Sequence, residues 1–504
     1  MHSKLFMGID IGTSSVRAAI FDLDGKQISI SQNEYPMICT EQGMGELDPE
    51  VVFGNLIQVV KNCIEKLGGT DKKIEAIGIS TQMHSFMAVD KNGRPLTNVI
   101  TWADSRPVSQ AEQIEKIFDY KMMYYNTGCR VQHPMYPLSK ILWLKETKPD
   151  VYKNAYKFIT IKEYVLFKLY GHFVVDFTDA SATGCFNIHS FEWDKYILEN
   201  VLEIDKSMFG EPVECTFILK NMNRDYAKAM DLDPDTPVAI GSGDGILANV
   251  GCGVFDDTSM TSTVGTSGAM RISVNAPLLD PSQKTWCYCF TRNTWVAGGA
   301  INNGGIVLRW IRDSFRKQFE REAEEAGIKS IYALFDKYAE KVSPGSDGLI
   351  FLPFLTGERS PNWNANAQGT LHGLQLLHTR EHLVRSAMEG VMYRMFSVYE
   401  AITRLNNNVR QIKANGGYIK SDIWLKIQAD IFNKEIAVAG IGEAAVFGAA
   451  YTAMVAVGAI NGFNKILPEM QPLKVVKPNP ENVEVYRNAY NRFKDLYCRI
   501  YDVK

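Results

Sequence analysis

One strand-and-turn phrase occurs twice in this chain, half its length apart. Leu5-Phe6-Met7-Gly8-Ile9-Asp10-Ile11 is an apolar run leading into Gly12-Thr13-Ser14, and Ser262-Thr263-Val264 leads in the same way into Gly265-Thr266-Ser267-Gly268. In each copy a glycine lets the backbone turn sharply and approach a ligand, and successive N–H groups and hydroxyls offer donors suited to phosphate oxygens. The copies differ where the first has Asp10 and the second Thr263. Only the first therefore carries a fixed charge able to hold a hard cation such as Mg²⁺ through its waters. Gly-Thr-Ser turns also close hairpins that bind nothing. Two copies, each behind an apolar strand, favour a chain built of two similar halves that clamp a metal-bound nucleotide between them.

A chain of 504 residues, 46% hydrophobic and 22% charged, exceeds what one core usually supports, so two domains are expected, 1–250 and 251–504. The net charge of −3 leaves no basic face for a nucleic-acid backbone. No apolar run approaches the roughly 20 residues of a membrane span, and Met1-His2-Ser3-Lys4 leads straight into a strand, so a cytoplasmic protein without nucleic-acid or membrane partners is expected. The nine cysteines are scattered, and Cys287 and Cys289 fit one face of a strand better than a zinc knuckle. The histidines form no HExxH pair, so no transition-metal site is expected. A homodimer is left open.

Along the first half, strand signals at Leu5 to Ile11, Val16 to Phe21 and Gln27 to Asn33 precede a helix from about Pro49 to Leu67. The buried strand Ile74 to Ser80 runs into Thr81-Gln82-Met83-His84, which puts polar residues at a strand's carboxyl end, where open α/β sheets hold ligands. A second such end is Ile240-Gly241-Ser242-Gly243-Asp244-Gly245. Val108 to Lys168 reads as mostly helical, interrupted at Pro134 and Pro137. The later half adds helices at Gly304 to Glu322, His382 to Leu405 and Asp422 to Phe432, and a strand Gln411 to Asn415 ending in Gly416-Gly417.

There is no GxxxxGK[ST] loop and no GxGxxG between strand and helix, so neither the P-loop nor the dinucleotide fingerprint explains the repeated turns. Five phrases carry a family resemblance: Asp10-Ile11-Gly12-Thr13-Ser14, Met135-Tyr136-Pro137-Leu138-Ser139-Lys140, Gly243-Asp244-Gly245, Gly265-Thr266-Ser267-Gly268 and Asn415-Gly416-Gly417. Nearly the whole chain resembles the FGGY carbohydrate kinases, relatives of the actin, hexokinase and heat-shock ATPase group. The resemblance implies an α/β protein of two ribonuclease-H-like domains with a cleft between them. Met83-His84-Ser85, Thr101-Trp102-Ala103-Asp104-Ser105-Arg106, His133-Pro134-Met135 and Gly357-Glu358-Arg359-Ser360-Pro361 resemble the gluconate-phosphorylating branch of that family. Met83-His84 stands where the glycerol-kinase pattern has Arg-Glu, and xylulose kinases share the Met-His pair.

The resemblance further implies roles, with ATP and Mg²⁺ as cofactors. Asp244 matches the catalytic base and Asp10 the carboxylate that holds Mg²⁺ through water. Gly12, Thr13, Ser14, Gly265 and Thr266 match the phosphate loops, and Gly305, Gly416, Gly417 and Ser421 the walls of the adenosine site. Tyr418 departs from the small residue common at its position. Met83, His84, Trp102, Arg106, His133 and Lys140 are expected around the sugar, with Arg106 as first choice for a substrate carboxylate. The residues also allow plainer readings. Asp244 could be a solvated turn former, His84 a satisfied core histidine, Trp102 core, and Arg106 the partner of Asp104. Arg309 is expected to pair with Asp313 one helical turn on. The expected reaction is in-line transfer from ATP to gluconate, giving 6-phosphogluconate, with xylulose or another sugar as alternative acceptor. An actin- or chaperone-like ATPase would instead hydrolyse ATP without any sugar.

Overall fold

The computed structural model describes residues 4–68 and 73–502; Met1–Ser3, part of the expected entry into the first strand, lie outside them. The N-terminal lobe is built from strands β1 (Leu5–Ile11), β2 (Ser15–Asp22) and β3 (Gln27–Glu34), helix α1 (Pro49–Glu65), β4 (Ile74–Thr81), helices α2 (Pro137–Thr147) and α3 (Phe177–Ser181), β5 (Ile218–Leu219), β6 (Val238–Gly243) and helix α4 (Asp244–Gly251). The C-terminal lobe contains β7 (Ser259–Val264), β8 (Gly268–Val274), β9 (Trp286–Thr291), β10 (Thr294–Ile301), α5 (Ile306–Ser314), α6 (Ile331–Glu340), α7 (Arg380–Thr403), β11 (Gln411–Asn415), α8 (Asp422–Phe432), β12 (Glu435–Val438), α9 (Ala444–Ala456), β13 (Lys474–Val476) and α10 (Pro480–Tyr501).

The two large sheets repeat one topology. The first runs β5-β6-β4-β1-β2-β3 and the second β9-β10-β8-β7-β11-β12-β13. In each, an antiparallel trio (β1-β2-β3; β7-β8-β10) continues through two parallel neighbours (β4 and β6; β11 and β12). The turn between the first two strands of each trio is a hydroxyl loop, Gly12–Ser14 or Gly265–Ser267, so the sequence repeat is also a repeat of position. β1 is buried along its whole length, as a strand covered on both faces must be, and this is why it reads as a continuous apolar run.

Local signals account for the elements that matter to the cleft. At α1, the Asp48 side chain accepts from the N–H groups of Glu50 and Val51, Pro49 takes the first turn, and Val52, Phe53, Leu56, Val59, Val60 and Cys63 form the buried face. Pro137 starts α2 rather than breaking it. The helix expected over Gly304 to Glu322 is two helices, because Phe315 leaves helical geometry at φ −127°. No Gly or Pro marks that break, so periodicity alone carries through it.

The two lobes meet through α9, which is apolar on every side. Although it follows a strand of the second sheet, it packs on β1 and β4 of the first sheet and on α4. A Cβ at Gly8 or Gly78 would lie 1.9 Å from the carbonyl oxygens of Val446 and Ala449, and one at Gly448 would lie 2.0 Å from that of Leu247. The approach is backbone against backbone, and no side chain can yield to relieve it. Gly78→Ala is therefore expected to lower stability by about 1–3 kcal/mol, the usual cost of overpacking. Gly54→Ala, in α1 with nothing within 4 Å of its added Cβ, should raise it by about 0.5–1 kcal/mol. Denaturant midpoints measure both, and shifts of the same sign would contradict the close-approach account.

Candidate active site

The first hydroxyl loop is braced from several sides. The Gly12 carbonyl accepts from Tyr35 OH (2.6 Å) and Gln82 Nε2 (3.1 Å), while Thr13 Oγ1 donates to Gln82 Oε1 (3.0 Å) and accepts from Trp102 Nε1 (2.9 Å). The Thr13 hydroxyl proton is thus committed, which leaves its backbone N–H and the exposed Ser14 as donors. In the second loop Thr266 Oγ1 accepts from Arg309 Nη2 at 2.7 Å, so its own proton remains available. Arg309 does not pair with Asp313, which is taken by Arg312 and Arg316; it braces the second hydroxyl loop instead.

Two carboxylates stand at strand ends above these loops, Asp10 buried and Asp244 half-buried. Asp10 lies opposite Arg17 and Ser80 in the sheet register. Its Oδ1 accepts from Ser80 Oγ at 2.6 Å and its Oδ2 is 3.8 Å from Arg17 Nη1. Burial raises its pKa against those two partners. Asp244 is the first residue of α4, with Oδ1 accepting from the Gly245 N–H at 2.6 Å. Burial and the Asp10 charge push it up to about 6, while Arg271 pulls it down. Arg271 projects from β8 across the cleft, and a Cβ at Gly245 would meet its Nε at 2.8 Å.

Asp244 and Arg271 line a cavity of about 250 Å³ between the lobes, together with Thr13, Met83, His84, Trp102 and Met135 from the first and Tyr288, Arg359 and Trp363 from the second. His84 holds a left-handed backbone (φ 63°) that turns its ring toward Tyr288, Nε2 to OH 2.9 Å. Burial, reinforced by Lys140, Arg359 and His133, keeps its pKa well below the usual histidine value, so the ring is neutral. Arg359 donates to Asn302 Oδ1 (2.7 Å) and lies over the Trp102 ring, 5.5 Å from its centroid. Burial lowers its pKa to about 10. Among the described residues no carboxylate pairs with it.

Ser267 and Gly268 line this cavity, whereas Thr266 lines a second one of about 470 Å³ in the C-terminal lobe, so the second hydroxyl loop separates the two. Gly265, Gly305, Arg309, Tyr332, Gly417 and Ser421 are among the walls of the larger cavity. Ser421 caps α8 and donates to Asp336 Oδ1 at 2.6 Å. Gly305 and Gly416 are required by the chain itself: a Cβ would come within 2.8 Å of the Gly265 carbonyl and 2.6 Å of the Val264 carbonyl, and Gly416 has φ 96°. Gly265 and Gly417 face open space. Tyr418 turns inward, donating to Gln428 Oε1 at 2.6 Å.

Three residues expected around the sugar stand elsewhere. Arg106 is gripped by Asp104, Glu46 and Glu41 and stacks on Trp143, so its charge is neutralised by the protein. Lys140 donates to the carbonyls of His84 (2.6 Å) and Met135 (2.7 Å), tying together the loops that carry them, and burial lowers its pKa to about 7. His133 accepts from the Met135 N–H (3.2 Å) and packs against Trp363; burial brings it down to about 3. Residues missed in the sequence are Arg271, Tyr288, Arg309, Arg359 and Trp363. A lone arginine within the apolar strand Gly268–Val274 was a legible sign; the others depend on which side chains meet across the cleft.

Among the described residues no group of three or more His, Cys, Asp or Glu could hold a metal alone. A single desolvated carboxylate such as Asp10 suits a Mg²⁺ that keeps most of its ligands as water and phosphate oxygens.

Residues 5–251 match the N-terminal domain, and residues 260–457 the C-terminal domain, of the FGGY family of carbohydrate kinases. The chain is 37% identical over 495 residues to a gluconokinase of Bacillus licheniformis, covering 98% of this chain and 96% of the relative. It is similar to the crystal structure of gluconate kinase from Lactobacillus acidophilus (TM-score 0.90, 33% identity, 99% and 98% of the two chains). It is equally similar to that of ligand-bound xylulose kinase from the same organism (TM-score 0.91, 32% identity, 99% and 98%).

The raised Asp244 pKa has a thermodynamic sign. Folding favours the protonated form, so that contribution is present below pH 3.8 and lost as pH rises to about 6. Asp244→Asn should therefore be more stable than the native chain by about 1–3 kcal/mol at pH 8, the partial exposure of the residue reducing the full effect. The gap should close below pH 4. Denaturation at the two pH values tests this, and a gap independent of pH would remove the desolvated-carboxylate account.

Proposed function

The chain belongs to the FGGY family of carbohydrate kinases, and on that premise we propose that it transfers the terminal phosphoryl group of ATP to D-gluconate, giving 6-phospho-D-gluconate. The observation that carries the choice of a sugar acid is the charge of the acceptor cavity. It is lined by two guanidiniums and one carboxylate, and Arg271 faces Asp244, leaving Arg359 without a counter-charge. A neutral ketopentose would leave that buried cation unpaired, whereas an aldonate brings a carboxylate able to accept from it in bidentate fashion. The gluconokinase relative supports the same assignment.

In this reading Asp244 accepts the proton of the terminal hydroxyl. Its support is a fixed Oδ1, held by the Gly245 N–H, and a pKa near 6, which keeps it ionised at neutral pH yet basic enough to take a proton in the transition state. Arg271 keeps it ionised. Neutral His84 and Tyr288, hydrogen-bonded to each other, offer the sugar hydroxyls polar edges, and Trp102 forms a wall. Adenosine would occupy the larger cavity, with Thr266 and Arg309 meeting the phosphates on one side and the Thr13 and Ser14 backbone on the other. Asp10 would hold the accompanying Mg²⁺ through water, and the metal's contribution is to neutralise charge on the phosphates. Closure of the lobes would exclude water and limit idle ATP hydrolysis.

A panel of sugars in a coupled ATP assay tests the acceptor. Gluconate is expected to exceed xylulose and glycerol in kcat/KM, and a preference for xylulose would install the xylulose-kinase reading. Arg359→Gln should cost about 10- to 100-fold on gluconate, the worth of a charge-assisted pair, and much less on xylulose. An equal loss on both would free Arg359 from the carboxylate. Asp244→Asn should lower kcat on the order of 100-fold or more while ATP still binds. The acid limb of kcat/KM should lie near pH 6, where Asp244 gains its proton. Arg271→Gln should move that limb to higher pH; an unmoved limb would assign it to another group.

A further inference from the structure

A third cavity, of about 460 Å³, lies apart from both sites just described. Its walls come from α7, α10, the 361–362 segment, the 282–284 segment and Arg130 of the N-terminal lobe. Five cations line it, Arg130, Lys284, Arg394, Arg404 and Lys494, against a single acid, Glu400. That acid is already engaged by Tyr490 OH (3.0 Å), Lys494 (3.2 Å) and Arg404 (3.4 Å). Arg394, with a side chain only 4% exposed, contacts Glu358 through Nη2 but has no hydrogen-bond acceptor for Nε among the described residues. Burial lowers its pKa to about 10. Arg130 and Lys284 form no ion pair among the described residues. Glu358 and Glu400 compensate Arg394, Arg404 and Lys494, which leaves Arg130 and Lys284 as a local excess of positive charge in a chain of net charge −3, and an entering anion would offset it.

The cavity also adjoins the acceptor site. The Arg130 guanidinium stands over the Trp363 ring, 5.7 Å from its centroid, and the same ring contacts His133 and lines the acceptor cavity. Asn362 lines the third cavity and precedes Trp363 directly. We propose that this cavity is an effector site for a phosphate dianion, free or carried on a phosphorylated sugar acid, and that Trp363 couples it to the acceptor cavity. A phosphate suits it better than a monocarboxylate, because two cations without a counter-charge, Arg130 and Lys284, and the unpartnered Nε–H of Arg394 stand on separate segments and can share its charge and its several acceptor oxygens.

The test is a calorimetric titration of the full chain saturated with a non-hydrolysable ATP analogue and its best acceptor from the sugar panel, so that the cleft is filled. Inorganic phosphate is the probe in one arm and 6-phosphogluconate in the other, at constant ionic strength. One site per chain is expected, weakened about tenfold or more by Lys284→Glu and unchanged by Thr266→Ala. Binding in the phosphate arm names free phosphate as the source; binding only in the second arm names the sugar phosphate. The bound anion should also shift the acceptor KM, an effect lost in Lys284→Glu. Lys284 touches neither cleft, so that variant should keep its basal activity and Tm; should it fail to fold, Arg404→Gln replaces it in the same titration. No binding in either arm, binding indifferent to these variants, or an unchanged acceptor KM would overturn the proposal.

Discussion

The contact between α9 and the first sheet is the constraint on which the rest of the molecule depends. Carbonyls of Val446 and Ala449 occupy the places where side chains at Gly8 and Gly78 would begin, so a helix of the second lobe lies directly on the sheet of the first. The same helix presses Gly448 against the carbonyl of Leu247, in the helix that Asp244 opens. The position of Asp244 relative to β1 and its Asp10 therefore follows from main-chain contacts that cannot be repacked by changing rotamers. Small residues in α9 give little side-chain burial of their own; what they provide is proximity, and proximity sets the width of the cleft.

Within that cleft, charge is arranged by compensation. Burial raises the cost of ionising both Asp10 and Asp244, the Asp10 charge adds to it at Asp244, and Arg17 and Arg271 restrain it from opposite lobes. Burial, reinforced by the cations around them, holds His84 and His133 neutral, so His84 serves as a hydrogen-bonding edge instead of a charge. Arg359 lies against the Trp102 ring and the Asn302 amide, with no carboxylate partner among the described residues. Arg106, at first sight the better candidate for an anionic substrate, is surrounded by three carboxylates and stiffens its own loop. Two arginines of equal chemistry thus differ in their surroundings, one neutralised by three carboxylates and one without a carboxylate partner among the described residues.

Much of this architecture was legible because its signals are local. Strands buried on both faces read as apolar runs, hydroxyl loops as glycine followed by Thr-Ser, and α1 as a capped, proline-started amphipathic stretch. The duplicated phrase alone announced two lobes and the asymmetry between Asp10 and Thr263. Less legible was Phe315, where a helix breaks without a glycine or proline, and Arg309, whose neighbour by helical spacing, Asp313, is claimed by Arg312 and Arg316. Gly305 and Gly416 were visible as glycines, but their reason, a carbonyl from the second hydroxyl strand and loop lying against each, was not.

By itself, the sequence determined which segments become strands and helices, which turns pair a glycine with hydroxyls, and which two carboxylates stand at strand ends, since these follow from neighbours along the chain. Tertiary structure decided which charges cancel. Arg106 meets Glu46 and Glu41 some sixty positions away, at separations of 60 and 65 residues, and Arg359 meets Trp102 and Asn302 across a cleft formed by two lobes. Ion pairing depends on distance and desolvation in space, which spacing in the chain does not encode.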